Sequence, residues 1–334
     1  MRKLLVILLV LSALWSGYWF AGSSALRGAA EQWFADQAAH GITAEKTALS
    51  VSGFPNRFDL TVEGLSLADP QTGFGWSAPF AQIFAMTWKP WHIIAALPPT
   101  QTLRLPDQDI GLTSTRLMAS ARAKPTLALP LAEIVVDGTA LKATSTQGWS
   151  VGAAGLIFAV RADTASDTAY DIALTAKDFA PDPTFLATLG PTSALPPLVA
   201  EARATLNARL TAPLDRMAGD THPTLIGLEV KDMLITWGTM SITAKGLLEP
   251  DSDGYAAGRI AIDITNWQHL IPLLVATGTI SDKFAPTFQN MLKTLADEGG
   301  KPDILSLPLT LAKGRMSLGP LPLGEAPLLV SPTN

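Results

Sequence analysis

Alternation of apolar and polar residues is the feature that most constrains how this chain can fold. From Thr43 to about Asp178 the pattern has a period of two, and turn-forming residues interrupt it about every 8–12 positions. Such alternation is typical of antiparallel strands, because successive side chains of a strand point to opposite faces of the sheet. The strands predicted here are Phe58–Leu67, Phe80–Trp88, Thr113–Ala121, Leu131–Thr144, Val151–Ala162 and Tyr170–Lys177. The sequence therefore predicts a β-rich α+β fold with long, twisted antiparallel sheets and a few packing helices.

A charged residue followed by glycine interrupts the alternating pattern at four places. These glycines are Gly64, Gly138, Gly246 and Gly314. After the first three, a second glycine followed by an aromatic residue appears, at Gly75, Gly148 and Gly254. A glycine inside a strand pattern indicates a bulge or bend, and the second glycine indicates the turn into the partner strand. Each site alone is equally consistent with chance, but the threefold coincidence favours a degenerate hairpin repeat that is bent at the first glycine.

The second half of the chain has a different organisation. Prolines concentrated in residues 181–199 indicate a junction between a first β-rich half, 23–180, and a second, 200–334. Within the second half, Ala202–Leu210 is compatible with a helix or a strand. The strand is favoured, because it places alanine and leucine on one face and the polar residues on the other. Residues 267–298 predict a helical hairpin.

An uncharged apolar run, Leu4–Gly22, follows two basic residues at the amino terminus. About 19 residues rise roughly 28 Å as a helix, which is enough to cross a bilayer. Small residues at 23–25 leave a cleaved signal peptide as the alternative. The length of the run and the aromatic residues at its far end favour a retained anchor with interfacial aromatics. Those aromatics are Trp15, Tyr18, Trp19 and Phe20.

The same basic residues predict the orientation of the anchor. Arg2 and Lys3 favour a cytoplasmic tip of residues 1–3, so we expect the chain beyond residue 22 to be exported. Leu26–Ala39 then predicts a helix that continues from the anchor and packs on the first sheet. A helix lying on the membrane surface is the alternative, but its polar face would normally be basic, and this one is acidic.

The composition argues against several classes of function. The chain has 24 basic and 29 acidic residues, a net charge of −5, so there is no basic excess to bind nucleic acid. It has no cysteine and only four histidines, which lie in separate segments. Asp251 and Asp253 stand beside glycine and indicate a turn rather than an acid–base pair. We therefore predict no catalytic, cofactor-binding or metal-binding residues, and a protein that is not an enzyme.

The remaining composition is unusually apolar: 48% of the residues are hydrophobic and only 16% are charged. The anchor accounts for part of this excess. Small apolar residues that fill a large core would account for the rest. Alternatively, a curved sheet exposes an apolar face that accepts lipid chains. The ordinary core is the favoured interpretation on composition alone.

Five segments carry a resemblance to a known family. They are Val51–Leu67, Phe74–Pro98, Tyr170–Asp182, Ile235–Trp267 and Leu307–Gly324. They resemble the alphaproteobacterial, membrane-anchored family called domain of unknown function 2125. The order of anchor, helix and glycine-punctuated hairpins is also similar, more distantly, to AsmA-like envelope proteins. The resemblance implies a single-pass protein of the bacterial inner membrane with most of its chain in the periplasm, and it implies no catalytic residues.

Two functions are compatible with these features. The first is the binding or transfer of lipid along a curved apolar sheet of the cell envelope. The second is an envelope scaffold or assembly factor that binds other proteins at a sheet edge. An envelope hydrolase ranks last, because it would need several polar groups that converge in one cleft.

Overall fold

The computed structural model describes residues 1–190, 194–319 and 321–330. The chain is divided into two compact units. The first consists of Met1–Pro125 and Val136–Gly148, and the second of Thr126–Val135 and Trp149–Asn334. The predicted fold class is confirmed, since the described chain is strand-rich, antiparallel and begins with one long apolar helix.

The first unit contains helix α1 and the strands that follow it. These are α1 (Arg2–Ala39), β1 (Thr43–Glu45), β2 (Ala48–Ser52), β3 (Arg57–Ala68), β4 (Gly75–Met86), β5 (Lys89–Leu97), β6 (Thr100–Leu105), β7 (Gln108–Thr113), β8 (Arg116–Ala123) and most of β9 (Leu131–Ser145). Strand β3 is central: β1 and β2 pair with it on one side and β4 on the other. Strand β4 in turn pairs with β5 and β6. Strands β1, β2 and β5–β7 have no counterpart among the strands named from the sequence pattern.

Helix α1 is continuous through the apolar run and the amphipathic segment. The stretch has no proline and is rich in leucine and alanine, which favour the helix. It ends just before Gly41, whose φ of +78° is the left-handed conformation that glycine adopts readily. The predicted continuation of the anchor into the 26–39 helix is therefore confirmed, and its Phe34 packs in a core with Leu49, Leu60 and Val62.

The second unit is an antiparallel meander. Its strands after β9 are β10 (Ser150–Ala162), β11 (Ala169–Ala180), β12 (Val199–Leu210), β13 (Leu225–Trp237), β14 (Met240–Pro250), β15 (Ala256–Thr265), β16 (Ile304–Ala312), β17 (Arg315–Leu318) and β18 (Leu321–Glu325). From β10 to β18 each strand pairs with the next. The strand prediction for Ala202–Leu210 is confirmed by β12.

Short helices lie in the connections between strands of this meander. They are α2 (Pro183–Leu189), α3 (Ala218–Thr221), α4 (Leu270–Ala276) and α5 (Ala285–Glu298). Trp267, Ile271 and Leu292 pack with sheet residues such as Leu305 in a hydrophobic core of the second unit. Helices α4 and α5 occupy the segment 267–298 for which a helical hairpin was predicted, with one 3₁₀ turn ahead of each helix.

The Pro-rich junction predicted at 181–199 lies inside the second unit. Residues 191–193 of this stretch are outside the described residues. The flanking strands β11 and β12 pair antiparallel, from Ala169↔Arg209 to Phe179↔Val199. The stretch therefore connects two neighbouring strands of one sheet, and the division between the units falls earlier in the chain.

Candidate functional site

The first predicted bend glycine, Gly64, lies inside β3 with a φ of +58°. A Cβ atom at this position would lie 2.6 Å from Cγ2 of Thr47, so a side chain has no room. The inward-facing residues of β3 change at this point from even to odd numbers: Leu60 and Val62 are buried before the glycine, and Leu65 after it. Gly64 thus lets both halves of a long strand present apolar side chains to the same core.

The other three bend glycines occupy different environments. Gly138 lies in β9, where the left-handed residue is the nearby Ala140. Gly246 lies in β14, and the register shift beside it is on β13, between Val230 and Met233. Gly314 lies in the turn between β16 and β17, with a φ of +69°, and not inside a strand.

The second glycines follow the predicted hairpin pattern. Gly75 begins β4, Gly148 lies in the turn before β10, and Gly254 lies in the turn before β15. The last two have φ values of +92° and +84°, the region in which glycine is favoured. Each therefore marks the entry into the next strand.

The four predicted interfacial aromatics contact the first unit itself. The Trp15 indole N–H donates to the carbonyl oxygen of Pro55 at 3.0 Å, and the Tyr18 hydroxyl donates to that of Thr87 at 2.8 Å. The Trp19 indole donates to the carbonyl oxygen of Arg57 at 2.7 Å. Trp19 is only 6% exposed, so it packs within the protein, whereas Phe20 is 60% exposed. Three of the four thus fasten the apolar run of α1 to two turns of the sheet.

The histidines lie apart from one another and form local hydrogen bonds. His92 Nε2 lies 3.0 Å from Ser120 Oγ, and His269 Nε2 lies 3.2 Å from Thr239 Oγ1. Nδ1 of His40 and of His222 each lies within 3.0 Å of a nearby backbone carbonyl oxygen. In the described part of the chain no three histidine, aspartate or glutamate residues are grouped as a metal site would require.

The acidic pair at the β14–β15 turn has the structural role that its sequence indicated. The carboxylate of Asp251 accepts hydrogen bonds from the backbone N–H groups of Asp253 and Tyr255, at 3.0 and 2.9 Å. An aspartate that binds the backbone two residues ahead is typical of a tight turn. The pair therefore shapes the turn.

A cavity of about 450 Å³ lies in the first unit between α1 and the sheet. Thirteen of its fourteen lining residues are apolar. They are Leu26, Ala30, Trp33 and Phe34 from α1, Leu60, Val62, Leu65 and Leu67 from β3, Trp76, Ala81 and Ile83 from β4, and Ala95 and Leu97 from β5. We call this cavity the α1 groove. Its floor is buried, while Trp33 and Ile83 at its edge are partly exposed.

Two polar groups at the α1 groove donate hydrogen bonds within the protein. Gln82 is the polar lining residue, and its amide N–H donates to Thr61 Oγ1 at 3.3 Å. The Trp76 indole N–H donates to Gln101 Oε1 at 3.0 Å. A ligand in the groove therefore meets aliphatic and aromatic surface with few free donors or acceptors, which suits an apolar chain rather than a polar metabolite.

Lys46, in the connection between β1 and β2, contacts α1 beside the groove. Its ammonium group lies 2.7 Å from the Glu31 carboxylate and 4.4 Å from the centroid of the Phe34 ring. Its side chain is only 19% exposed, so this ion pair is less screened than an open surface pair. The contact holds the amphipathic half of α1 against the connection between β1 and β2.

The second unit has a cavity of a different kind. It measures about 660 Å³ and is lined mainly by charged residues of β12, β13 and β14, among them Arg209, Lys231 and Glu249. Beside it, a hydrogen bond from Asn207 and a further one from Lys231 lower the pKa of Asp171 below its ordinary value. Arg209 forms an ion pair with Glu249, and Lys231 forms one with Asp171. These ion pairs largely neutralise the charges around the cavity.

Comparison with known proteins gives one match. Residues 19–327 match the family model described as "Uncharacterized protein conserved in bacteria (DUF2125)". The chain belongs to this family. The predicted resemblance to DUF2125 is thereby confirmed, and the matched segment of this DUF2125 protein includes the whole α1 groove. No curated protein and no solved structure matches the chain.

Proposed function

We propose that this DUF2125 protein is a non-enzymatic, membrane-anchored protein of the bacterial envelope that binds a lipid acyl chain in the α1 groove. The observation that supports the proposal most directly is the continuity of the two features. One helix contains both the apolar run and, beginning four residues after Gly22, the groove residues Leu26 and Ala30. An acyl chain at the membrane surface would therefore find apolar protein within about 6 Å along the helix axis.

The anchoring part of the proposal is supported by α1. The helix is long and apolar enough to cross a membrane, and its first half is almost entirely exposed. A helix that exposes leucine, valine and isoleucine side chains on all of its faces is unfavourable in water and favourable in lipid. With Arg2 and Lys3 at the cytoplasmic end, we place the sheet units in the periplasm and the anchor in the inner membrane.

The ligand class is supported by the size and chemistry of the groove. Its volume of about 450 Å³ lies within the range of roughly 300–1,000 Å³ that is common for small-molecule sites. The lining offers apolar contacts and almost no hydrogen-bonding groups. The groove would therefore select ligands by their hydrophobicity and their width. Such a groove suits the binding and passage of hydrocarbon chains and gives no means of polarising a bond, so we propose no reaction.

The test uses lipid photocrosslinking to the full chain in phosphatidylethanolamine–phosphatidylglycerol vesicles. A phospholipid with a diazirine in its acyl chain should label peptides of β3 and β4 that line the groove. Ala30→Trp places an indole in the groove and should reduce this labelling at least fivefold. The matched control is Ala29→Trp, since Ala29 is exposed on the same helix and does not line the groove.

Two results would contradict lipid binding at this site. One is wild-type protein with no labelled groove peptide, and the other is equal labelling of wild type, Ala29→Trp and Ala30→Trp. Defined envelope proteins that co-purify with unlabelled wild-type chain would instead favour the scaffold function. Thermal unfolding of both tryptophan variants checks that a loss of labelling reflects a filled groove and not an unfolded unit.

A further inference from the structure

Two turns of the first unit contact α1 inside its apolar run. The 53–56 turn joins β2 to β3, and the 87–88 turn joins β4 to β5. The pairing Arg57↔Met86 places both turns at the same end of the β3–β4 ladder. The hydrogen bonds donated by Trp15 and Tyr18 end on backbone carbonyl groups of these turns, and the one donated by Trp19 ends on that of Arg57, the first residue of β3.

The position of these contacts limits how α1 can cross a bilayer. Before Trp15, α1 offers only residues 2–14, which rise about 20 Å. The hydrocarbon core is about 30 Å thick and needs about 20 helical residues, and any tilt of the helix increases that number. The crossing segment must therefore continue to about Gly22, beyond the positions at which the two turns touch the helix.

We propose that the 53–56 and 87–88 turns are immersed in the bilayer leaflet that faces the sheet, with Phe54 and Trp88 as the lipid-contacting side chains. The inference rests on the proposed anchoring by α1. Phe54 is 52% exposed and Trp88 is 50% exposed, although both are large apolar residues at turn positions. Phe54 also stacks on the exposed Phe20, with ring centroids 5.8 Å apart, so the turn surface continues the apolar surface of the helix.

Several backbone carbonyl groups at the turns have hydrogen-bond partners within the protein. The N–H and the hydroxyl of Thr87 both donate to the carbonyl oxygen of Asn56, at 3.1 Å. The Thr87 carbonyl accepts from Tyr18, and those of Pro55 and Arg57 accept from the two indoles. Non-helical backbone is tolerated at membrane depth only when its polar groups have such partners. In water these carbonyl groups would be satisfied without side-chain donors.

The charged residues near the turns are compatible with this depth. Arg57 pairs with Asp59 at 2.7 Å, and about half of its side chain is exposed. Lys89 is exposed at the start of β5. Long basic side chains reach from the edge of the hydrocarbon to headgroup phosphates, so neither cation needs to remain in the apolar layer.

The test measures the membrane depth of single cysteines in the full chain reconstituted in phosphatidylcholine–phosphatidylglycerol vesicles. The chain has no cysteine, so each variant carries one label. A fluorophore at Trp88→Cys or at Phe54→Cys should be quenched several-fold more by lipids with a nitroxide on the acyl chain than one at Gln71→Cys. Gln71 is exposed in the turn at the opposite end of the β3–β4 ladder, roughly 36 Å away along eleven residues.

A label at Leu8→Cys, inside the apolar run, separates the two proposals. Strong quenching at Leu8 together with quenching at both turns is the expected result. Strong quenching at Leu8 with both turns as weak as Gln71 overturns the immersion of the turns and leaves the anchor intact. Absence of quenching at Leu8 overturns the anchor and, with it, this inference. A blue-shifted but unquenched label at the turns would mean that protein covers them, which also overturns the proposal.

Discussion

At the scale of single residues, the structure separates glycines that the sequence pattern treats alike. Gly246 stands where a Cβ atom would lie 2.2 Å from the carbonyl oxygen of Arg259 and 2.6 Å from Cα of Ile260. Both obstacles are backbone of the paired strand β15, which cannot move without distorting the ladder. Gly155 also lies within a strand, β10, but a Cβ atom there would have no neighbour within 4 Å.

We therefore predict opposite effects for two alanine substitutions. Gly246→Ala should destabilise the protein by about 1–3 kcal/mol, because overpacking displaces the neighbouring strand. Gly155→Ala should be neutral or slightly stabilising, since alanine restricts the unfolded chain more than glycine does. Thermal unfolding of the detergent-solubilised chain measures both effects, with a fall in Tm of roughly 2–10 °C expected for Gly246→Ala. Equal Tm values for the two variants would mean that β15 yields to the added methyl group.

At the scale of elements, α1 is long and apolar enough to span a membrane and also packs on the sheet of the first unit. The apolar run of α1 predicts an anchor, and its second half predicts an amphipathic helix. In the structure both parts form one continuous helix. The amphipathic half packs through Phe34, which is buried, while the adjacent Trp33 is half exposed at the edge of the groove.

This difference predicts unequal losses of stability for two neighbouring aromatic residues. Phe34→Ala should reduce the free energy of unfolding by about 3 kcal/mol or more, because it leaves a cavity in the core between α1 and β3. Trp33→Ala should cost less than about 1 kcal/mol, since much of the indole already faces solvent. Chemical denaturation in detergent micelles compares the two. A larger loss for Trp33→Ala would show that α1 packs on the sheet through a different face.

The strands themselves were predictable to different degrees. Strands with clean alternation, such as Phe58–Leu67 and Tyr170–Lys177, agree with β3 and β11 apart from their ends. Strand β5 was missed because its residues 93–97 form a continuous apolar run, which has no period of two. Strands β6 and β7 are six residues each, too short for a periodic pattern to stand out.

At the scale of the whole molecule, the central prediction is orientation. The two basic residues before the apolar run favour a cytoplasmic amino terminus, and the rest of the chain would then lie on the other side of the inner membrane. A single cysteine at Thr164, exposed between β10 and β11, should react with a membrane-impermeant maleimide in intact spheroplasts. A cysteine at Lys3 should react only after lysis. The reverse pattern of labelling would contradict the periplasmic placement.

Local sequence patterns were enough to predict an apolar run that continues into an amphipathic helix, and antiparallel strands interrupted by glycine. These follow from periodicity and turn chemistry, which act over a few residues. Three features became visible only in the folded chain. The Pro-rich stretch joins two paired strands, three of the four aromatics of the apolar run donate to backbone carbonyl groups at or next to two turns, and α1 and β3–β5 line one apolar groove. Each of these depends on contacts between separate elements of the chain, and such contacts leave no periodic mark in the sequence of either element.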